Sequence, residues 1–97
     1  MLTGKKIVLG VSGGIAAYKM ANVASMLSKL HADIHVVMTE NATHFITPET
    51  FEVLTGNHCY TDTFDRCMEL HVPHIALGTQ ADAILIAPAS ADVVGKI

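Results

Sequence analysis

The stretch Lys6-Ile7-Val8-Leu9-Gly10-Val11-Ser12-Gly13-Gly14-Ile15-Ala16-Ala17 decides how the chain folds. A continuous apolar run rich in β-branched residues passes straight into small residues and then into a helical pattern. Such a run, apolar on both faces, belongs in the middle of a parallel sheet, because a strand with one wet face would alternate. Ser12-Gly13-Gly14 then presents unblocked backbone N–H groups at a helix N-terminus, where the helix dipole favours an anion. Two readings stand: a phosphate cradle, or glycines that serve only the turn from strand to helix. The stretch is not the dinucleotide fingerprint G-x-G-x-x-G, since Ser12 and Ile15 stand where glycine is expected. Nor is it a Walker loop. No G-K-[ST] follows, and Lys19 lies well inside the helix.

Outward from this stretch, Ala16, Met20, Val23, Ala24, Leu27 and Leu30 recur at three- and four-residue spacing. That spacing predicts a helix from about Ile15 to Leu30 with one buried face. Ile34-His35-Val36-Val37-Met38 reads as a second strand ending at Thr39. A first short helix is expected over Thr39 to Phe45. A second starts at Thr47-Pro48-Glu49, which supplies an N-cap, a proline at N1 and an acid in the first turn, and stops at Gly56. The mixed, polar residues from His58 to Glu69 suggest a short edge strand around Cys59-Tyr60 and then a loop. Val72-Pro73-His74 opens a short helix through Gln80, Ala83-Ile84-Leu85-Ile86-Ala87 is a further fully apolar strand, and a last helix is expected from Val93. This alternation predicts an α/β fold with a Rossmann-like, doubly wound parallel sheet. Because the pattern stops at Ile97, barely one turn into that last helix, a C-terminally incomplete domain is expected.

Composition narrows the function classes. A chain of 97 residues is at most one small domain. Its 51% hydrophobic content against 15% charge is high for a free-standing domain, so part of the apolar surface should be covered by another subunit or by further chain. A net charge of −3 with six Lys and Arg argues against nucleic acid and against anionic membranes. No apolar run approaches the roughly 20 residues of a membrane span. The N-terminus has no signal-peptide pattern, and a cytoplasmic location follows as the expectation. Cys59 and Cys67 are too few for a disulfide framework and should be reduced thiols.

Ligands of such sheets bind outside the carboxyl ends of the strands, at the switch point in strand order. Three stretches lead there: Ser12-Gly13-Gly14, Thr39-Glu40-Asn41, and Pro88-Ala89-Ser90-Ala91-Asp92. They carry small hydroxyl and amide residues and no basic ones, a set suited to one phosphate held by N–H and O–H donors. Thr39 stands where an NAD-binding chain would place an acid for the ribose, so a mononucleotide fits better than a dinucleotide, with FMN the natural candidate. Asp92 reads equally as an N-cap or as a ligand contact. Of the six histidines, His71 and His74 are three apart, but no third ligand stands at a helpful spacing, and a metal site is set aside. His71 is read as solvated, and His31, His35, His44 and His58 as bland. His74, at the mouth of a helical turn, is either ordinary or a general base.

Several stretches converge on a known family. Gly10-Val11-Ser12-Gly13-Gly14-Ile15-Ala16-Ala17-Tyr18-Lys19, Val37-Met38-Thr39-Glu40-Asn41-Ala42, Phe45-Ile46-Thr47-Pro48-Glu49-Thr50-Phe51, His74-Ile75-Ala76-Leu77 and the run from Ala81 to Asp92 resemble the flavin-containing cysteine decarboxylases. The likeness covers nearly the whole chain. It is strongest to the branch that in bacteria is joined to a phosphopantothenate-cysteine ligase. It implies a single flavoprotein domain of which residues 1–97 are the N-terminal part, assembled as homotrimers or trimer-based dodecamers with FMN near a subunit interface.

By that resemblance, Ser12, Gly13, Gly14 and Ile15 match the first FMN loop, Thr39 and Asn41 the second, and Phe45 a further cofactor contact. Ser90, Ala91 and Asp92 match the family's P-A-S-A-N-T segment, with Asp92 where asparagine is common and Val93 where threonine is common. His74 matches the active-site histidine of an H-I-x-L motif. The implied reaction oxidises the C-terminal cysteinyl group of 4′-phosphopantothenoylcysteine, releases CO₂ and returns the hydride, giving 4′-phosphopantetheine for coenzyme A. The family's lid cysteine and P-x-M-N clamp are not in this stretch, and Cys59 and Cys67 do not match the lid position, so the stretch alone is expected not to complete turnover. Three alternatives share the fold: a flavin prenyltransferase, whose G-A-S-G-A loop is absent, a peptidyl-cysteine decarboxylase of the lantibiotic type, and a flavin-binding subunit without decarboxylase activity.

Overall fold

A computed structural model describes residues 2–13, 16–87 and 93–96. In chain order the elements are β1 (Lys6–Val11), α1 (Ala16–Lys29), β2 (Asp33–Thr39), a 3₁₀ turn (Glu40–His44), α2 (Pro48–Thr55), β3 (Tyr60–Asp62), α3 (Phe64–Arg66), a π-helical turn (Cys67–His71), α4 (Val72–Thr79), β4 (Ala83–Ala87) and β5 (Val93–Lys96). The strands form one sheet in the order β3-β2-β1-β4-β5. The first four are parallel and β5 is antiparallel to β4.

β1 is the central strand because its side chains satisfy two cores at once. Ile7, Leu9 and Val11 face α1 and α2 in a cluster with Met20, Ala24, Ile34, Val36, Met38 and Phe51. Val8 faces the other side with Val37, Cys67, Val72, Ile75 and Ala76. The period-two alternation of a strand thus puts apolar groups into both layers, the physical meaning of an unbroken apolar run. The α2 punctuation reads as expected: Thr47 is the N-cap, Pro48 opens the helix, and Gly56 closes it at φ 77° with its N–H on the Glu52 carbonyl. The Thr47 side chain itself makes no capping bond, so the stop at Gly56 and the proline carry that boundary.

Two local expectations are corrected. Residues beyond Thr63 are helical where a loop was expected. Thr63 caps the segment through its hydroxyl, 3.3 Å from the Arg66 N–H, and helical backbone then continues through α3, the π turn and α4. Pro73 therefore lies inside a helical stretch rather than at its opening. A proline there has no N–H, and its ring collides with the carbonyl four residues back, at a cost of about 3 kcal/mol in a regular helix. The wider π turn just before it, in which the Val72 N–H reaches back to the Cys67 carbonyl, accommodates the ring. The second correction is Val93: it begins β5 and not a helix. The β-branched pair Val93-Val94 suits an edge strand laid against β4.

Candidate functional site

The order β3-β2-β1-β4 makes the crevice between β1 and β4 the switch point, since connections from β1 run one way and that into β4 the other. The carboxyl ends are level there. Val11 pairs with Met38 on one side and with Ala87 on the other. What leaves these ends therefore starts from one rim. The helical stretch after β3 leaves this rim at Thr63, and beyond α4 the chain reaches the opposite edge, where the Asp82 N–H meets the Lys6 carbonyl at 2.6 Å.

The first two sequence loops meet. Gly13, after β1, has φ +103°, and a Cβ built there would lie 2.6 Å from Asn41 Nδ2 and 3.5 Å from its Cγ. The absence of a side chain at Gly13 is thus what lets the Asn41 amide rest against the loop backbone. Thr39, at the end of β2, is buried, and its Oγ1 accepts the Ala42 N–H at 3.2 Å. That bond uses a lone pair and leaves the hydroxyl proton free to be donated. Thr39 therefore both caps the 3₁₀ turn and can serve an anion. A Thr39→Val change keeps the shape but strands the buried Ala42 N–H, and should lower stability by about 1–2 kcal/mol, read as a shift in the denaturant midpoint.

Phe45 stands just beyond the 3₁₀ turn, partly exposed, with its ring edge-on to Tyr18 from the first turn of α1 at 6.5 Å between centroids. Tyr18 lay within the quoted family stretch but carried no role of its own; an exposed aromatic on an otherwise apolar-and-small helix start was its only signal. His74, third residue of α4, is exposed. Ser12 is half-buried next to Gly13. Gly14, Ile15, Ser90, Ala91 and Asp92 lie outside the described residues. The first two loops thus bring Ser12, Gly13, Thr39 and Asn41 together at the rim, with Phe45 just beyond the 3₁₀ turn, and no hydrogen bond or ring contact joins His74 to them among the described residues. A donor set of hydroxyl, amide and backbone N–H groups with a close-approach glycine fits a flavin phosphate.

Histidines read as bland have partners. Asp62, the last residue of β3, binds His71 Nε2 and Arg66 Nε through Oδ2, each at 2.9 Å, and takes the Thr63 N–H on Oδ1 at 2.8 Å. Tyr60 stacks on the His71 ring at 5.9 Å, and His58 Nδ1 lies 3.0 Å from Glu52. His35 Nε2 is 3.2 Å from Asp33. His71 is therefore half-buried and fixed, not solvated, a pairing hidden from sequence because nine residues and a strand-to-helix turn separate it from Asp62. Among the described residues, no group of three or more His, Cys, Asp or Glu side chains gathers as a metal site, and no helix is long and apolar enough to cross a membrane.

The hydrogen bond from Arg66, then those from His71 and the Thr63 N–H, hold the Asp62 carboxyl well below the usual carboxylate range. Its folded-state value lies below its unfolded one, so its contribution to stability is complete above about pH 4 and is lost as acid drives the pH down toward the depressed value. Acid unfolding followed by circular dichroism should accordingly begin at higher pH once the wild-type advantage is removed by Asp62→Asn, with the two proteins converging at the acid end. The thiols are poor proton donors to the rim. Burial pushes Cys59 up to about 12, and burial also raises Cys67, whose Sγ donates to the Met38 carbonyl at 3.2 Å.

Comparison with known proteins bears on this geometry. The chain is 45% identical over 96 residues to the coenzyme A biosynthesis bifunctional protein CoaBC of Haemophilus influenzae, covering 99% of this chain and 24% of that protein. It is 42% identical over 97 residues to CoaBC of Bacillus subtilis, again spanning 24% of the relative. The chain thus spans about a quarter of the length of these curated relatives. Among solved structures, the FMN-dependent cysteine decarboxylase SpaF superposes with a TM-score of 0.66 at 30% identity, over 92% of this chain and 51% of that one. MrsD from a Bacillus species superposes with a TM-score of 0.62 at 24% identity, over 88% of this chain and 48% of that one, a likeness of fold. The family model described as Flavoprotein matches residues 1–97, and with the sheet order and the rim this places the chain in the Flavoprotein family.

Proposed function

We propose that this chain is the N-terminal part of a single FMN-binding domain that decarboxylates 4′-phosphopantothenoylcysteine to 4′-phosphopantetheine in coenzyme A biosynthesis. The observation that carries the reading is the meeting of the first two loops at the switch point, Gly13 against Asn41. The identity of 42–45% to CoaBC proteins along essentially the whole chain supports the substrate, and the likeness to an FMN-dependent cysteine decarboxylase supports the cofactor. FMN, when bound, would supply reversible two-electron redox chemistry for the cysteinyl side chain.

The chain's residues do the rest. Ser12 Oγ, the Thr39 hydroxyl and the Asn41 amide hold the flavin phosphate by donated hydrogen bonds, since no basic side chain is needed where neutral donors converge on an anion. Phe45, braced edge-on by Tyr18, gives the flavin an apolar wall. His74 orients the cysteinyl group and accepts or returns its proton at an imidazole nitrogen. Homotrimeric or larger trimer-based assembly in the cytoplasm belongs to the same reading. Exposed Tyr18, Leu77 and Val53 are consistent with surface to be covered. A visible spectrum of the natural-length protein should show the flavin bands, and CO₂ should be released from 4′-phosphopantothenoylcysteine. Release only from a peptide ending in cysteine would replace the substrate with a peptidyl one, and a colourless protein would remove the reading.

A further inference from the structure

We propose that His71, held by Asp62, is a positioning residue for His74. The helical stretch carrying His74 changes register in the π turn, and that turn is tied to the sheet at both ends. At its start, Cys67 is fully buried with its thiol on the Met38 carbonyl at 3.2 Å and on the Asp62 carbonyl at 3.5 Å. At its end, His71 Nε2 meets Asp62 Oδ2 at 2.9 Å while the Tyr60 ring stacks on the imidazole, the two planes 27° apart. Both ties reach the carboxyl ends of β2 and β3, three and seven residues before His74.

The tie matters because a π turn is a soft place in a helix. It carries one residue too many for the regular ladder, and it is held there by the ring of Pro73. Val72 just before the proline and Ile75 and Ala76 beyond it are buried and fix the face that α4 turns to the sheet, but the exposed His74 lies between them in sequence without a hydrogen bond to the described residues. The His71–Asp62 bond ties the residue immediately before α4 to the end of β3. Asp62 is itself fixed by Arg66 and the Thr63 N–H, so the carboxylate is a rigid anchor. Pi turns recur at functional sites because an inserted residue re-aims the side chains that follow.

The proposal takes the acid–base role of His74 from the reading above only for its kinetic arm; the spectroscopic arm stands without it. In natural-length protein labelled with ¹³C-histidine, the His74 imidazole signal is assigned by its absence in His74→Asn. His71→Leu should move that signal by more than its line width and lower kcat for CO₂ release about tenfold, with KM within about twofold, as expected when a reacting group is displaced rather than removed. His71→Gln, whose amide can donate to Asp62 from nearly the same point, should restore both. If His71→Leu does not fold, Asp62→Ala breaks the same bond and should move the same signal. An unmoved His74 signal in folded His71→Leu or Asp62→Ala, or equal damage by Leu and Gln at 71, overturns the proposal. Wild-type protein that releases no CO₂ while the His74 signal still moves would overturn the decarboxylase reading and leave the positioning role in place.

Discussion

A His74→Asn variant is expected to keep its flavin and lose at least a hundredfold in the rate of CO₂ release, about the lower end of what a positioned acid–base group contributes. Asparagine keeps one hydrogen-bonding nitrogen near the position of imidazole Nδ1, but it can neither accept nor return a proton near neutral pH. Little else should change. His74 is exposed on the first turn of α4, between Pro73 and the buried Ile75, so its replacement leaves no cavity and breaks no hydrogen bond of the described residues. A flavin spectrum and thermal midpoint equal to wild type, beside the lost rate, separate a chemical role from a structural one. Full turnover in the variant would return His74 to the surface residues.

The second large effect is expected at Gly13. Its φ of +103° is open to glycine and strained for any L side chain, at roughly 1–3 kcal/mol. Gly13→Ala adds a second difficulty, because the new methyl would occupy the place of the Asn41 amide, 2.6 Å from Nδ2. The amide can swing away, since it ends a flexible side chain, but it then leaves the proposed phosphate site. We therefore expect a lowered denaturant midpoint together with an FMN affinity reduced at least about tenfold, the size of one lost hydrogen bond to a charged group. An Asn41→Ala variant should show the affinity loss with little of the stability loss. If Gly13→Ala lost stability alone and bound FMN as before, the glycine would serve only the turn, the alternative that the sequence itself left open.

These residues also mark how much was legible in advance. β1 was readable because burial on both faces forbids polar interruptions, as a central parallel strand asks, and β2 and β4 from short apolar runs, broken in β2 only by the half-buried His35. The α2 boundaries were readable from Thr47-Pro48 and Gly56, where φ demands the residue type. The helix upstream of His74 was not. Its residues from Phe64 to His71 are polar and mixed because it is short, partly exposed and held by the Asp62 network rather than by an apolar stripe, so periodicity had nothing to detect. The same cause hid the His71–Asp62 pair: its geometry is made by β3 ending beside the π turn, and no spacing rule encodes it. Val93 misled for a further reason. After a buried strand and a proline, a helix is the common continuation, but Val93-Val94 follows its own β propensity along the edge of β4. At the rim, the Gly13–Asn41 contact could be anticipated as a meeting of loops, whereas the Tyr18–Phe45 pair needed the fold to bring α1 and the 3₁₀ turn together.

The central claim is that the turns at the carboxyl rim hold a flavin by its phosphate. Titration of apo-protein with FMN and with riboflavin, followed by quenching of flavin fluorescence, tests it most directly, because the two ligands differ only in that phosphate. The account predicts FMN binding at least about tenfold tighter, with the difference shrinking in Gly13→Ala and Thr39→Val. Equal affinity for the two flavins, unchanged by either substitution, would contradict it.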